Sequence, residues 1–164
     1  MKGVATFTGM GDVYGNAVFT DKSESVEIIA TFTKLPAGEH GFHIHTNGDL
    51  REEGCMGACS HFNKGPKRDH GGPPGSKGER HTGDLGNIEK IDHAYRYKLV
   101  GVTVSELMGR TLIVHADPDD LGKGNEEDSL TTGHAGKRIA CAIIGRAKDC
   151  GPPSQKSRTR KLRA

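Results

Sequence analysis

At 164 residues, with 33% hydrophobic residues, no Trp and 24 Gly, the chain can bury one core but is too lean and glycine-rich for a large helical bundle. Its net charge of +2 divides into −3 over residues 1–150 and five basic residues, with no acid, beyond Cys150. No run of about 18 apolar residues occurs, and Met1-Lys2-Gly3-Val4 lacks the core of a signal peptide, so a cytoplasmic protein with no membrane association is expected.

Taken in chain order, residues 3–9 and 13–20 predict two strands around a turn at Gly9-Met10-Gly11-Asp12, and the β-branched stretch 24–35 predicts a third before Pro36-Ala37-Gly38. The next strand is His40-Gly41-Phe42-His43-Ile44-His45. Alternate residues of a strand share a face, so His43 and His45 point one way and Phe42 and Ile44 the other, which lets two imidazoles meet one metal while the strand still builds a core. From Thr46 to His81 the pattern dissolves into a loop rich in Gly, Pro, Lys and Asp. Loops longer than about 12–15 residues are uncommon in compact domains, and this one carries Cys55, Cys59, His61 and His70, so ordering by ligation and cross-linking is expected.

Alternation resumes at 84–88, continues over 95–104 and returns at 110–115. A second long loop, 116–137, holds Asp119, Asp120, Lys123, Glu126, Glu127 and Asp128, and the last strand covers 138–145. These segments predict an all-β, eight-stranded antiparallel Greek-key barrel or sandwich with two long functional loops over residues 1–150. The tail, 151–164, opens with breakers, continues with basic charge and reads as disordered; lacking interleaved aromatics, it gives little reason to expect nucleic acid.

Imidazole suits zinc and copper, and a carboxylate can complete a zinc tetrahedron. The candidates are His43, His45, His61, His70, His81, Asp84 and His115, more than one four-coordinate ion needs, so the count points to two metals. Without a secretion signal, four cysteines would ordinarily be thiols or ligands. Cys55 and Cys59 form a C-x3-C pair open to reading as a metal clip or an alternative disulfide, though no second pair follows.

The motifs Gly41-Phe42-His43-Ile44-His45, Gly48-Asp49, Ser60-His61-Phe62-Asn63, His70-Gly71-Gly72-Pro73, Glu79 to Asn87, Gly109 to His115, Asp119 to Gly124 and Ala135 to Cys141 together resemble the copper,zinc superoxide dismutases, in that family's order, over about residues 3 to 149. The resemblance implies an oxidoreductase that converts two superoxide anions and two protons to dioxygen and hydrogen peroxide by alternate reduction and reoxidation of copper. It makes His43, His45, His61 and His115 the copper ligands and His61, His70, His81 and Asp84 the zinc ligands, with His61 bridging the ions and returning a proton during turnover. It makes Asp119 the carboxylate behind His43 and His70, Arg138 the arginine that docks the anion, and Cys55–Cys141 a disulfide. It also implies a homodimer and copper delivery by a chaperone. The alternative is a dismutase-like copper-binding or copper-transfer protein without turnover, but the chain carries neither a Met-x-Cys-x-x-Cys head nor a terminal Cys-x-Cys.

The sequence departs from that family in places. The stretch from Asp84 to His115 is short, which bears on the dimer contact that this region, the amino terminus, Gly48 and the last strand usually make. The first loop is lengthened around Leu50-Arg51-Glu52-Glu53 and Pro74-Gly75-Ser76-Lys77. Thr131 stands where many members carry a steering lysine, leaving Lys123 and Lys137 as substitutes. His40 is expected to support strand packing, and His93 and His134 to be exposed imidazoles.

Overall fold

The computed structural model describes residues 1–149; Cys150 and the basic tail lie outside the described residues. Nine strands run in order: β1 (Lys2–Thr8), β2 (Tyr14–Asp21), β3 (Ser25–Lys34), β4 (His40–His45), β5 (Asp84–Ile88), β6 (Ala94–Val100), β7 (Thr111–His115), β8 (Arg138–Ile143) and β9 (Gly145–Arg146). Two one-turn helices, α1 (Val104–Leu107) and α2 (Ser129–Thr132), interrupt them. The strands form two antiparallel sheets, ordered β6-β3-β2-β1-β9 and β5-β4-β7-β8. β4 lies beside β7, which follows it only after two further strands, and this non-consecutive pairing is the Greek-key feature.

All eight segments expected to be strands are strands, with two differences at their ends. The last one divides at Ile144, so β8 stays in the four-stranded sheet while β9 pairs with β1 in the other. The segment 95–104 stops at Val100 because Thr103 caps α1: its hydroxyl accepts from the Glu106 N–H, and the Glu106 carboxylate accepts from the Thr103 N–H.

The core lies between the sheets. Phe32 meets Phe42 edge-on at 5.6 Å and Phe7 at 5.7 Å, and Phe19, Ile28, Ile44 and Leu112 are fully buried around them. β4 and β7 differ from the other strands in that every residue is buried. A sheet that packs on one face normally leaves alternate residues exposed. Here the outer face, which carries His43, His45, Ile113 and His115, is itself roofed by the two long loops. Cys55, Ala58 and Ile113, with Cys141 against them, form a small second core under that roof.

Tyr97 on β6 packs against Phe42, and its buried hydroxyl finds no partner among the described residues. Leaving a hydroxyl unpaired costs more than the group contributes. Tyr97→Phe is therefore expected to stabilise the fold by about 1 kcal/mol, read as a raised denaturant midpoint at unchanged slope.

Candidate metal centre

The histidines of β4 are brought to the others by the path of the first loop. The loop returns alongside β4: His61 forms an isolated antiparallel bridge with His45, Phe62 N–H donates to Ile44 C=O at 2.8 Å, and Ile44 N–H to Gly83 C=O at 2.9 Å. Phe62 is buried, with the Arg110 guanidinium 3.7 Å over its ring, and this anchors the segment that carries His61. The ring of His61 then stands 4.1 Å from His43, 4.8 Å from His45, 5.1 Å from His70 and 5.4 Å from His81.

Among the described residues three sets of side chains have ligand atoms near enough to share an ion: a first group, His43, His45, His61 and His115; a second group, His61, His70, His81 and Asp84; and a smaller set, His43, His70 and Asp119. In the first group, three rings are each held by the nitrogen turned away from the centre. His43 Nε2 lies 2.8 Å from Asp119 Oδ2, His45 Nδ1 2.7 Å from the Cys59 carbonyl and His115 Nδ1 3.1 Å from the Gly136 carbonyl. Their other nitrogens face inward; His45 Nε2 and His115 Nε2 approach to 3.3 Å, and His43 Nδ1 has no partner. In the second group, Asp84 divides its two oxygens. Oδ2 accepts from the backbone N–H of Gly71 and His81, whereas Oδ1 lies 2.8 Å from His61 Nδ1, 3.0 Å from His70 Nδ1 and 3.3 Å from His81 Nδ1. The His70 contact is close but not aligned as a hydrogen bond.

His61 belongs to both groups and differs from its neighbours: Nδ1 faces the Asp84 pocket, Nε2 is buried without a partner, and neither nitrogen is anchored on a carbonyl. Asp119 links the groups from behind, with Oδ2 on His43 Nε2 and Oδ1 2.7 Å from His70 Nε2, and Leu121 N–H donates to the same Oδ1. The donor set suits a metal. Buried polar nitrogens are normally satisfied, and those left open here all point inward toward the other imidazoles and Asp84.

Burial keeps the first group unprotonated, pushing the His43 and His45 pKa values far below the ordinary imidazole value and that of His115 down to about 4. His61 is lowered by burial against the pull of Asp84. His70 goes the other way: burial opposes its charge, but Asp119 and Asp84 prevail and raise it to about 9. Burial likewise works against the Asp84 carboxylate, yet the three imidazoles hold it well below the usual carboxylate range.

A cleft of about 520 Å³ opens above His45, His61 and His115, with Arg138 on its wall. The Arg138 guanidinium donates to the carbonyls of Cys55 at 2.8 Å and Cys59 at 2.6 Å. Cys55 is disulfide-bonded to Cys141 across 86 residues, so the crosslink holds the segment that fixes Arg138. Cys59 is exposed and, among the described residues, is the free cysteine. Its carbonyl accepts from both His45 and Arg138, and its backbone (φ 60°, ψ −146°) sits where glycine is the natural occupant. Of the lysines weighed against Thr131, Lys137 lines this cleft beside Thr131, whereas Lys123 lines a separate cavity behind His70. His40 supports packing as expected, with Nδ1 2.9 Å from the His115 carbonyl and Nε2 3.0 Å from that of Pro36. His93 and His134 are exposed, and His134 is ion-paired with Asp128.

Three residues that shape the site were not singled out from the sequence. The Asn87 amide clamps the Asp119 backbone, donating to its carbonyl at 2.9 Å and accepting from its N–H at 2.7 Å. Arg80 gathers the carbonyls of Gly72, Thr82 and Asp84. Gly133 has φ 71° and no room for a Cβ, which would strike Asp119 Oδ1 and His70 Nε2.

Comparison with known proteins gives a consistent result. A family profile described as copper/zinc superoxide dismutase matches residues 13–144. "Superoxide dismutase [Cu-Zn]" of Paramecium bursaria Chlorella virus 1 is 43% identical over 146 residues, covering 85% of this chain and 76% of the relative. "Superoxide dismutase [Cu-Zn] A" of Xenopus laevis is 40% identical over 151 residues, covering 88% and 97%. Among solved structures, that of the clock protein EA4 superposes with a TM-score of 0.75 at 38% identity, covering 88% of this chain and 93% of the other.

Two outcomes are expected from this geometry. With its pKa raised to about 9, His70 would give up a proton on binding zinc, so zinc uptake should release protons. Apparent zinc affinity should then rise with pH up to about 9, by roughly tenfold per unit for one proton, in chelator competition. Cys59→Gly relieves the backbone at residue 59 and should stabilise the metal-free chain by about 1 kcal/mol in thermal unfolding.

Proposed function

The chain belongs to the copper/zinc superoxide dismutase family, and from that premise we propose that it dismutates superoxide at the histidine cluster, with copper and zinc as cofactors. Copper is assigned to His43 Nδ1, His45 Nε2, His61 Nε2 and His115 Nε2, and zinc to His61 Nδ1, His70 Nδ1, His81 Nδ1 and Asp84 Oδ1. The observation that carries this assignment is His61, whose two ring nitrogens face opposite pockets with no other anchor.

Bound copper supplies one-electron chemistry that turns superoxide alternately into dioxygen and hydrogen peroxide, while zinc, which has no redox chemistry, supplies fixed positive charge. The chain's own residues do the rest. Arg138, fixed by two carbonyls and facing the cleft, binds the anion by charge and orients it over the histidines. His61 is the buried base at which a proton bound for the product can be held, at Nε2, while Nδ1 stays with the Asp84 pocket. Asp119 and the carbonyls of Cys59 and Gly136 fix the tautomer and direction of the remaining rings, so that each presents its lone pair inward.

A second copy of the chain is the proposed partner: Val18 on β2 and Ile143 on the edge strand β8 are exposed apolar side chains, and Ile143 lies beside Gly48. No helix among the described residues is long and apolar enough to cross a membrane; the cytoplasm is the proposed location, with a copper chaperone as the source of copper.

The test combines metal stoichiometry with a superoxide assay and mass in solution. The wild-type chain should hold one copper and one zinc as a dimer. His45→Ala should lose copper affinity by more than about tenfold, and activity with it, while keeping zinc. Activity retained by that variant without bound copper contradicts the mechanism, and a wild-type chain that binds copper without turnover favours copper transfer instead.

A further inference from the structure

The cleft above the histidines has three charged side chains among its lining residues: Lys137 and Arg138, which attract an anion, and Asp128, which repels one. Asp128 is not alone. The single turn of α2 ends in Gly133 (φ 71°) and His134 (φ 51°), two left-handed residues that fold the chain back and bring His134 Nδ1 to 2.7 Å from Asp128 Oδ1. The Thr132 hydroxyl donates to the other oxygen, Oδ2, at 2.9 Å. Both partners are about half exposed, 56% for His134 and 47% for Asp128, so the ring exchanges protons freely with solvent. Neither side chain contacts the histidine cluster, and no role described above uses the pair.

Its net charge depends on one proton. With the imidazole protonated the pair is neutral; with the imidazole neutral, Asp128 stands as an uncompensated negative charge on the wall of a cleft that must admit an anion. We propose that His134 is the residue that sets the charge of this cleft: protonated, it cancels Asp128 and leaves Lys137 and Arg138 to draw superoxide in; deprotonated, it lets Asp128 oppose them. The inference rests on the dismutase reading above.

The surroundings favour the charged form of His134. Asp128, hydrogen-bonded to the ring, raises its pKa above the ordinary imidazole value, and Glu126 and Asp120 add to the effect. Asp128 is lowered in turn by His134 and Thr132. Arg138, on the strand side of the cleft, keeps its charge. His134 is thus the group at the mouth whose proton the acidic neighbours hold above the ordinary imidazole value. One unit of charge within about a Debye length of the approach path changes the encounter rate of a small anion by about twofold at low ionic strength. The sign follows: the rate falls as pH rises through the His134 pKa.

The experiment measures the second-order rate constant for superoxide against pH in the copper- and zinc-loaded chain, corrected for the uncatalysed reaction at each pH, beside an NMR titration of the His134 ring in the metal-free chain. In the wild type an inflection of about twofold should coincide with the His134 midpoint and shrink at high salt. His134→Gln, which keeps a donor to Asp128 but cannot titrate, should be flat across that range at the lower rate, and Asp128→Asn, which leaves His134 to titrate without its carboxylate, should move the inflection to lower pH. An active chain that lacks the inflection, or in which the inflection survives in His134→Gln, overturns the inference alone. A loaded wild type inactive at every pH overturns the dismutase reading and the inference with it.

Discussion

Five imidazoles and two carboxylates buried over the outer face of a β-sheet, with His81 partly buried beside them, are tolerable only if their polar atoms are paired, and the fold is arranged around that requirement. Asp84 and Asp119 carry most of the pairing. Asp84 turns one oxygen to backbone N–H groups and the other to three imidazoles, and Asp119 ties His43 to His70 from behind. What stays unpaired is a short set of inward nitrogens, His43 Nδ1, His61 Nε2 and His70 Nδ1, and these are the atoms a cation would satisfy.

The roof over this face explains the length of the two loops. A four-stranded sheet with one wet face would leave His43, His45 and His115 in water, free to rotate and to protonate. Covered by the loops, they are dry, directed and kept neutral by burial. The disulfide between Cys55 and Cys141 pins the first loop to β8, and the carbonyls of the pinned segment hold both His45 and Arg138. Closing an 86-residue loop can contribute about 4–5 kcal/mol through the unfolded state. The same crosslink that stabilises the loop therefore also aligns the His45 ring with the Arg138 guanidinium. Opposite it, the second loop contributes Asp119 to the interior and the Asp128–His134 pair to the rim. One loop orients the chemistry and the other tunes what reaches it.

Much of this was legible from the residues. Alternation in β4 separates His43 and His45 from Phe42 and Ile44, and the strand does bury the aromatic face in the core and turn the histidines outward. The candidate ligands lie together, and Cys55 and Cys141 are joined. Roles that pass through a backbone atom are not legible in side-chain chemistry: Cys59, which the spacing offers as a partner for Cys55, matters through its carbonyl, Arg80 through three carbonyls it collects, Asn87 through the main chain of Asp119, and Gly133 through the side chain it lacks. The Thr103-to-Glu106 capping box was readable in principle, but the β-branched run around it looked like a continued strand.

The amino-acid sequence by itself determined which residues could face a core, where strands and loops alternate, and which imidazoles and carboxylates were available to a metal. These follow from side-chain chemistry and local periodicity. Only the tertiary structure decided that β4 lies beside β7, that the first loop doubles back to set His61 between two pockets, and that His134 curls over Asp128 at the cleft. Such pairings depend on the path of the backbone over long separations and on carbonyls that every residue carries alike, so no side-chain pattern encodes them.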